Sequence, residues 1–262
     1  MGDRLAVVTG ASRGIGLALT ERLTGAGQKV AAIARSQAGL DDLATKTGAK
    51  PYVLDVADPD AVHDVFARIE SELGVPDLLV NNAGIGGALA RSWEQQEQDW
   101  WTVMEVNVRG TYLCSRAVLP SMIARGSGRI VNVSSGAATY PVGLAGGEIL
   151  SSAYLASKAA VNRFSEALAG EVYADGVRVF AISPGMVKTD MTAAAFPDLW
   201  DSPDVWTPIG TSIDLIQDLD SGLLDGLTGR YLRAAVDDWR ALAERVDEVI
   251  AKDSHAMRLS AL

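Results

Sequence analysis

The chain has 262 residues, 48% of them hydrophobic and 21% charged, enough apolar material for one sizeable core and too much for a long disordered segment. A formal net charge of -10 and a pI near 4.7 provide no broad basic surface, so nucleic acid is not an expected partner. One cysteine, Cys114, excludes an internal disulfide and fits a small buried hydrophobe. Strand-like residues begin at Leu5, leaving no room for a secretory leader, and no apolar run is long enough for a bilayer. The expected location is cytoplasmic, without membrane attachment.

Short apolar runs rich in β-branched residues alternate with helical patterns along the chain. The runs are Leu5 to Val8, Lys29 to Ala34, Tyr52 to Leu54, Leu78 to Val80, Arg129 to Val133 and Val177 to Ile182, with a last strand expected over Gly229 to Ala234. Between them, Val62, Val65, Phe66, Ile69 and Leu73 recur at helical spacing over Asp58 to Leu73, the pattern of a crossover helix capped by Asp58. Strands joined by such crossovers lie parallel and are buried on both faces. The expectation is an α/β fold: a doubly wound parallel sheet in three layers, forming one domain over residues 1–262. Val236, Trp239, Leu242, Val246 and Ile250 then predict an amphipathic helix in a tail spanning 235–262. Pro197, Pro203 and Pro208 keep the preceding region from being one continuous helix.

In doubly wound sheets, ligands bind outside the carboxyl ends of the strands, and several motifs fall there. Thr9-Gly-Ala-Ser-Arg-Gly-Ile-Gly16 lies between the first strand and a helical segment. Gly10, Gly14 and Gly16 permit a tight turn and close approach of phosphate to backbone, with Ser12, Arg13 and Ile15 completing the turn. The spacing differs from the common G-x-G-x-x-G fingerprint. The second strand ends Ala34-Arg35-Ser36, with no acid to hold a ribose 2′-hydroxyl and with a guanidinium suited to a 2′-phosphate. NADP(H) is therefore expected over NAD(H), with Arg13 closing on the phosphate from the other side. Asp55, with Val56 beside it, is placed either to meet the adenine edge or to cap the next turn. Asn81-Asn82-Ala83-Gly84 follows the fourth strand, where amide side chains can tie loops together.

Tyr154 and Lys158 stand four residues apart, on one face of a helix. A cation there favours phenolate and is expected to lower the tyrosine pKa toward a range useful for proton transfer. Hydride transfer to a carbonyl also needs a proton on oxygen, so the nucleotide site and this acid/base pair imply one mechanism.

Taken together, Thr9 to Gly16, Asn81 to Gly84, Asn107, Ser134-Ser135, Tyr154-x3-Lys158 and Pro184-Gly-Met-Val-Lys-Thr189 resemble the short-chain dehydrogenase/reductase family in its single-domain form, a Rossmann fold. The resemblance runs from Thr9 to about Thr189. It implies an oxidoreductase acting on a small-molecule carbonyl or alcohol without a metal. Tyr154 would be the acid/base, Lys158 its tuning residue and ribose ligand, and Ser135 the donor to the substrate oxygen. Asn107 would interrupt a helix and hold a relay water. Asn82, Ala83 and Gly84 would border the cofactor, and Pro184, Gly185, Val187 and Thr189 would place the nicotinamide carboxamide, Thr189 being otherwise a helix N-cap. Residues 186–228 correspond to a substrate lid, with Phe196, Leu199, Trp200, Val205 and Trp206 as candidate apolar lining. The family also implies a homodimer or homotetramer. Nineteen positions separate Ser135 from Tyr154, more than is usual, and Gly143, Gly146 and Gly147 suggest a looped insertion. This leaves Ser134, Ser151 and Ser152 as alternatives to Ser135. The rival readings are a non-catalytic nucleotide sensor or structural subunit on the same fold, and a sugar-nucleotide epimerase.

Overall fold

The computed structural model describes residues 4–139 and 151–258. Seven parallel strands form one sheet in the order β3-β2-β1-β4-β5-β6-β7. They are β1 (Leu5–Thr9), β2 (Lys29–Ala34), β3 (Lys50–Val53), β4 (Leu78–Asn81), β5 (Gly128–Val133), β6 (Val177–Ser183) and β7 (Tyr231–Arg233). The order reverses between β1 and β4, which opens a crevice at their carboxyl ends. The doubly wound Rossmann fold expected from the alternating pattern is thus the observed one.

Strand residues alternate between two cores, because successive side chains point to opposite faces. Ala6 and Val8 face α1 (Gly14–Gly25), α2 (Gln37–Thr47) and α8 (Ile209–Ser221), meeting Leu19, Leu23, Leu40, Ile213 and Ile216. Leu5 and Val7 face α3 (Pro59–Leu73), α5 (Gly110–Arg125) and α6 (Ser152–Val172), among Val62, Phe66, Ile69, Val118 and Val172. Cys114 of α5 is buried there with a free thiol, which burial pushes up to about 12.

Asp58 caps α3 by accepting from the backbone N–H groups of Asp60 and Ala61 at 3.0 and 3.1 Å, and Pro59 takes the first helical position. Asp58→Ala is expected to lower the unfolding free energy by about 1 kcal/mol, with a Tm fall of roughly 2–4 °C, measured by thermal denaturation. No helix among the described residues is long and apolar enough to cross a membrane.

Three element boundaries differ from the pattern-based expectation. The third strand begins two residues earlier, at Lys50, because Pro51 is tolerated at a sheet edge. The last strand shortens to Tyr231–Arg233. The tail is two short helices, α9 (Trp239–Ala243) and α10 (Val246–Ala251), because Arg245 at φ -124° and ψ 32° leaves the helical region. Trp239, Leu242 and Val246 pack on the core, but the break turns Val249 inward and leaves Val236 and Ile250 exposed. The backbone N–H of Tyr231 donates to the His255 carbonyl at 2.8 Å, so the tail covers the edge at β7.

The stretch from 186 to 228 breaks at its prolines. After α7 (Asp190–Ala195), Pro197 and Pro203 each open a single 3-10 turn, and Pro208 stands before α8.

Candidate active site

The glycine turn connects β1 to the amino end of α1. Gly10 adopts a φ of +66°, and a side chain there would reach within 2.9 Å of Ala83 Cα. A Cβ on Gly16 would come within 2.3 Å of the Gly10 carbonyl oxygen. The turn is therefore packed directly against the loop after β4. Asn82 fastens the two, donating from Nδ2 to the carbonyls of Thr9 and Gly10 at 2.9 and 3.2 Å. Thr9 answers through its hydroxyl, which accepts from the N–H groups of Asn82 and Ala83, both at 3.0 Å. Ser12 approaches Gly39 of α2, and Ile15 lies in the first turn of α1. Helix α1 has Arg13 at its N-cap, with no side-chain capping bond and no acid in its first turn. That end is suited to an anion.

Arg35 is exposed at the end of β2 and, among the described residues, forms no ion pair. Arg13 instead reaches across the crevice to Asp190 at 3.0 Å, with both side chains largely exposed. Asp55 accepts from the N–H of Ala57 at 3.0 Å in the turn before α3, whose cap is Asp58, while Val56 is buried beneath Gly110.

Three elements converge on the second half of the site. Asn107 lies in a single π-helical turn, Glu105–Arg109, that joins α4 (Glu97–Met104) to α5, so the expected helix interruption is a π-bulge. Its side chain is fully engaged: Nδ2 donates to the Ile85 carbonyl and to Ser157 Oγ, both at 3.0 Å, and Oδ1 accepts from the Ile85 N–H at 2.9 Å. Ser157 Oγ in turn donates to the Tyr154 carbonyl at 2.8 Å. Asn107 thus braces the loop after β4 against α6.

Ser134 and Ser135 follow β5 with opposite orientations. The Ser134 hydroxyl is buried and donates to the Lys158 carbonyl at 3.1 Å. Ser135 Oγ instead accepts from the Ala137 N–H at 3.2 Å and lies near enough to the Tyr154 phenol to lower its pKa, and its backbone carbonyl accepts from Tyr231 Oη at 2.8 Å. Ser152 is occupied elsewhere, accepting from Trp100 and Ser92. Gly143, Gly146 and Gly147 lie outside the described residues.

Lys158 is buried, and its ammonium donates to the Val133 carbonyl at 2.8 Å. Burial pulls its pKa down to about 8. It stands 5.7 Å from the Tyr154 ring centroid. The expected lowering of the phenol is not what the chain alone produces: burial raises the Tyr154 pKa, and the bond to Ser135 draws it only partly back. The reason is electrostatic. The Lys158 ammonium is directed at the Val133 carbonyl and stands 5.7 Å from the ring centroid, so burial is the larger influence on the phenol.

Val187 is buried, and Thr189 caps α7 in a reciprocal pair with Thr192. Thr189 therefore serves as a helix N-cap, and its Cγ2 would meet a Cβ on Gly14 at 3.2 Å. Pro184 and Gly185 form the turn after β6, where a side chain on Gly185 would collide with Thr207. In the lid, Lys188 lies over the rings of Trp200 and Trp206, at 4.9 and 5.5 Å from their centroids. Trp200 and Trp206 are thus committed at least in part to packing one another and Lys188.

Sequence reasoning did not find Tyr231, Ser157, Trp100 or Asp190. Their partners lie 96, 50, 52 and 177 positions away. Ser157 alone had a local signal, since it sits between Tyr154 and Lys158.

The short chain dehydrogenase family model matches residues 4–200. A short chain dehydrogenase of Pseudocercospora fijiensis is 41% identical over 196 residues, or 72% of this chain and 62% of the relative. The chain thus aligns with less than two thirds of that protein's length. The 3-oxoacyl-acyl-carrier-protein reductase of Salmonella typhimurium is 38% identical over 199 residues, covering 74% of this chain and 78% of the relative. Among solved structures, a gluconate 5-dehydrogenase from Burkholderia cenocepacia in complex with NADP and tartrate superposes with a TM-score of 0.81 at 27% identity, over 92% of this chain and 96% of that one. With this extent of match, the chain belongs to the short-chain dehydrogenase family of oxidoreductases.

Proposed function

We propose that this protein transfers a hydride reversibly between NADP(H) and the carbonyl or alcohol carbon of a small organic molecule. The observation that carries the proposal is the placement of Tyr154 one helical turn from buried Lys158 on α6, the Lys158 ammonium 5.7 Å from the Tyr154 ring centroid, with Ser135 near enough to act on the phenol. The start of α1, with no side-chain cap and no acid in its first turn, fits a dinucleotide pyrophosphate. When bound, the nicotinamide supplies or accepts the hydride.

The chain's own residues handle the oxygen and the proton. Ser135 and Tyr154 donate to the carbonyl oxygen and polarise it. In reduction, Tyr154 Oη gives its proton to that oxygen as the carbon–oxygen double bond becomes single. Lys158, with a pKa near 8, holds a proton at neutral pH and can return one to the tyrosine. In oxidation the same proton moves back. The raised phenol pKa keeps Tyr154 protonated at neutral pH, which favours reduction there. Alcohol oxidation should therefore rise with pH, and reduction should fade once the phenol ionises.

The preference for the 2′-phosphate is supported by Arg35, exposed at the end of β2 with no acid beside it. Asp190 holds Arg13, so Arg35 carries that preference. Arg35→Asp is expected to weaken NADPH binding by about 10- to 100-fold and NADH binding far less, measured by cofactor fluorescence titration. Equal losses would remove the assignment. A screen of NADPH oxidation across ketones, aldehydes and quinones tests the activity itself, since a nucleotide sensor would bind NADPH and turn over none of them.

A further inference from the structure

Helix α6 carries Tyr154 in its first turn, yet its beginning lacks the usual fastening. Ser151 stands at the N-cap with no side-chain bond to the helix, and no acid occupies the first turn. First-turn N–H groups without a capping acceptor leave a helix end prone to fraying. Here the restraint comes from the side. Trp100 of α4 donates its indole N–H to Ser152 Oγ at 3.2 Å, and the Ser92 hydroxyl donates to the same oxygen at 2.9 Å. The Trp100 ring is itself set edge-on against Trp101, with centroids 5.1 Å apart. One turn further along α6, Asn107 holds Ser157, which holds the Tyr154 carbonyl. Tyr154 is thus bracketed by two ties to the α4 and π-helical segment.

We propose that Trp100 and Ser92, acting through Ser152, are positioning residues that fix the angle at which Tyr154 presents its hydroxyl to Ser135. The inference rests on the reading of Tyr154 as proton donor. Neither residue touches the reacting atoms; displacement of the phenol by a fraction of an ångström is what their loss would cause.

The test uses Trp100→Phe, which keeps a ring and removes the N–H, with Ser152→Ala, the double variant, and Ser152→Thr, which keeps the hydroxyl. Each of the first two should lower kcat by about tenfold while leaving the NADPH dissociation constant near the wild-type value. The double variant should lose no more than Ser152→Ala alone, because that change already removes the bond that Trp100→Phe breaks. Ser152→Thr should recover most of kcat. Deuterium uptake across 152–158, measured on the free protein, should quicken in the damaged variants and not in Ser152→Thr. An unchanged kcat in Trp100→Phe and Ser152→Ala, or losses that multiply in the double variant, overturns the proposal. Failure of the underlying reading looks different: Tyr154→Phe would then retain turnover, whereas if only the positioning role fails, Tyr154→Phe is inactive and the Trp100 and Ser152 variants are normal.

Discussion

Tyr154→Phe is expected to reduce kcat for carbonyl reduction by about 10²- to 10⁴-fold, the range that a positioned proton donor contributes. The fold should survive, because the ring remains and only the phenol oxygen is removed. NADPH should bind with near-wild-type affinity, since the glycine turn and Arg35 are untouched. Steady-state kinetics with the best substrate from the carbonyl screen, together with fluorescence titration of cofactor, separates the two effects. Turnover within a few-fold of wild type would end the proton-transfer role for this residue. A loss confined to KM would instead assign Tyr154 to substrate binding.

Lys158→Met should part stability from function. Burial lowers the lysine pKa from 10.5 to about 8, a penalty on the charged form of about 3 kcal/mol. Methionine removes that penalty but leaves the Val133 carbonyl without its donor, a loss of about 1–3 kcal/mol. The balance at neutral pH is a gain of about 1–2 kcal/mol at most, or a rise in Tm of roughly 2–6 °C, while turnover falls by at least about 100-fold. The sign with pH is fixed. The unfolded chain keeps the lysine proton up to about pH 10.5 and the folded chain only up to about 8, so wild-type stability climbs between these values. The advantage of Lys158→Met is full below pH 8 and closes toward 10.5. Thermal denaturation of both proteins across that range measures it, and a gap that widens with rising pH would contradict the buried ammonium.

The parallel sheet was legible because its strands are nearly continuous apolar runs, and β2 falls on the very residues the pattern marks, Lys29–Ala34. Element ends were less legible where a tertiary constraint decides them. Pro51 belongs to β3 only because that strand lies at an edge, and nothing local marks Arg245 as the place where the tail helix breaks. Within the candidate site, motif order alone suggests that residues from separate strand ends act as one group. Their electrostatics were not legible, because the i to i+4 spacing of Tyr154 and Lys158 says that they share a face but not that the ammonium is aimed at Val133. The sequence already favours Ser135 over Ser134 for its place at the end of the fifth strand; what only the fold shows is that the Ser134 hydroxyl is spent on the Lys158 carbonyl.

The way the sheet ends bears on how copies of this protein can associate. Strand margins are natural templates for a neighbouring chain. On one side the margin contains Pro51, which has no amide hydrogen to offer. On the other, the outermost strand is three residues long and the His255 carbonyl already takes the Tyr231 amide. Extending the sheet from one molecule into the next through β7 would require the tail to let go, and Tyr231 also grips the backbone of Ser135. Recruiting that margin for assembly would therefore disturb Ser135.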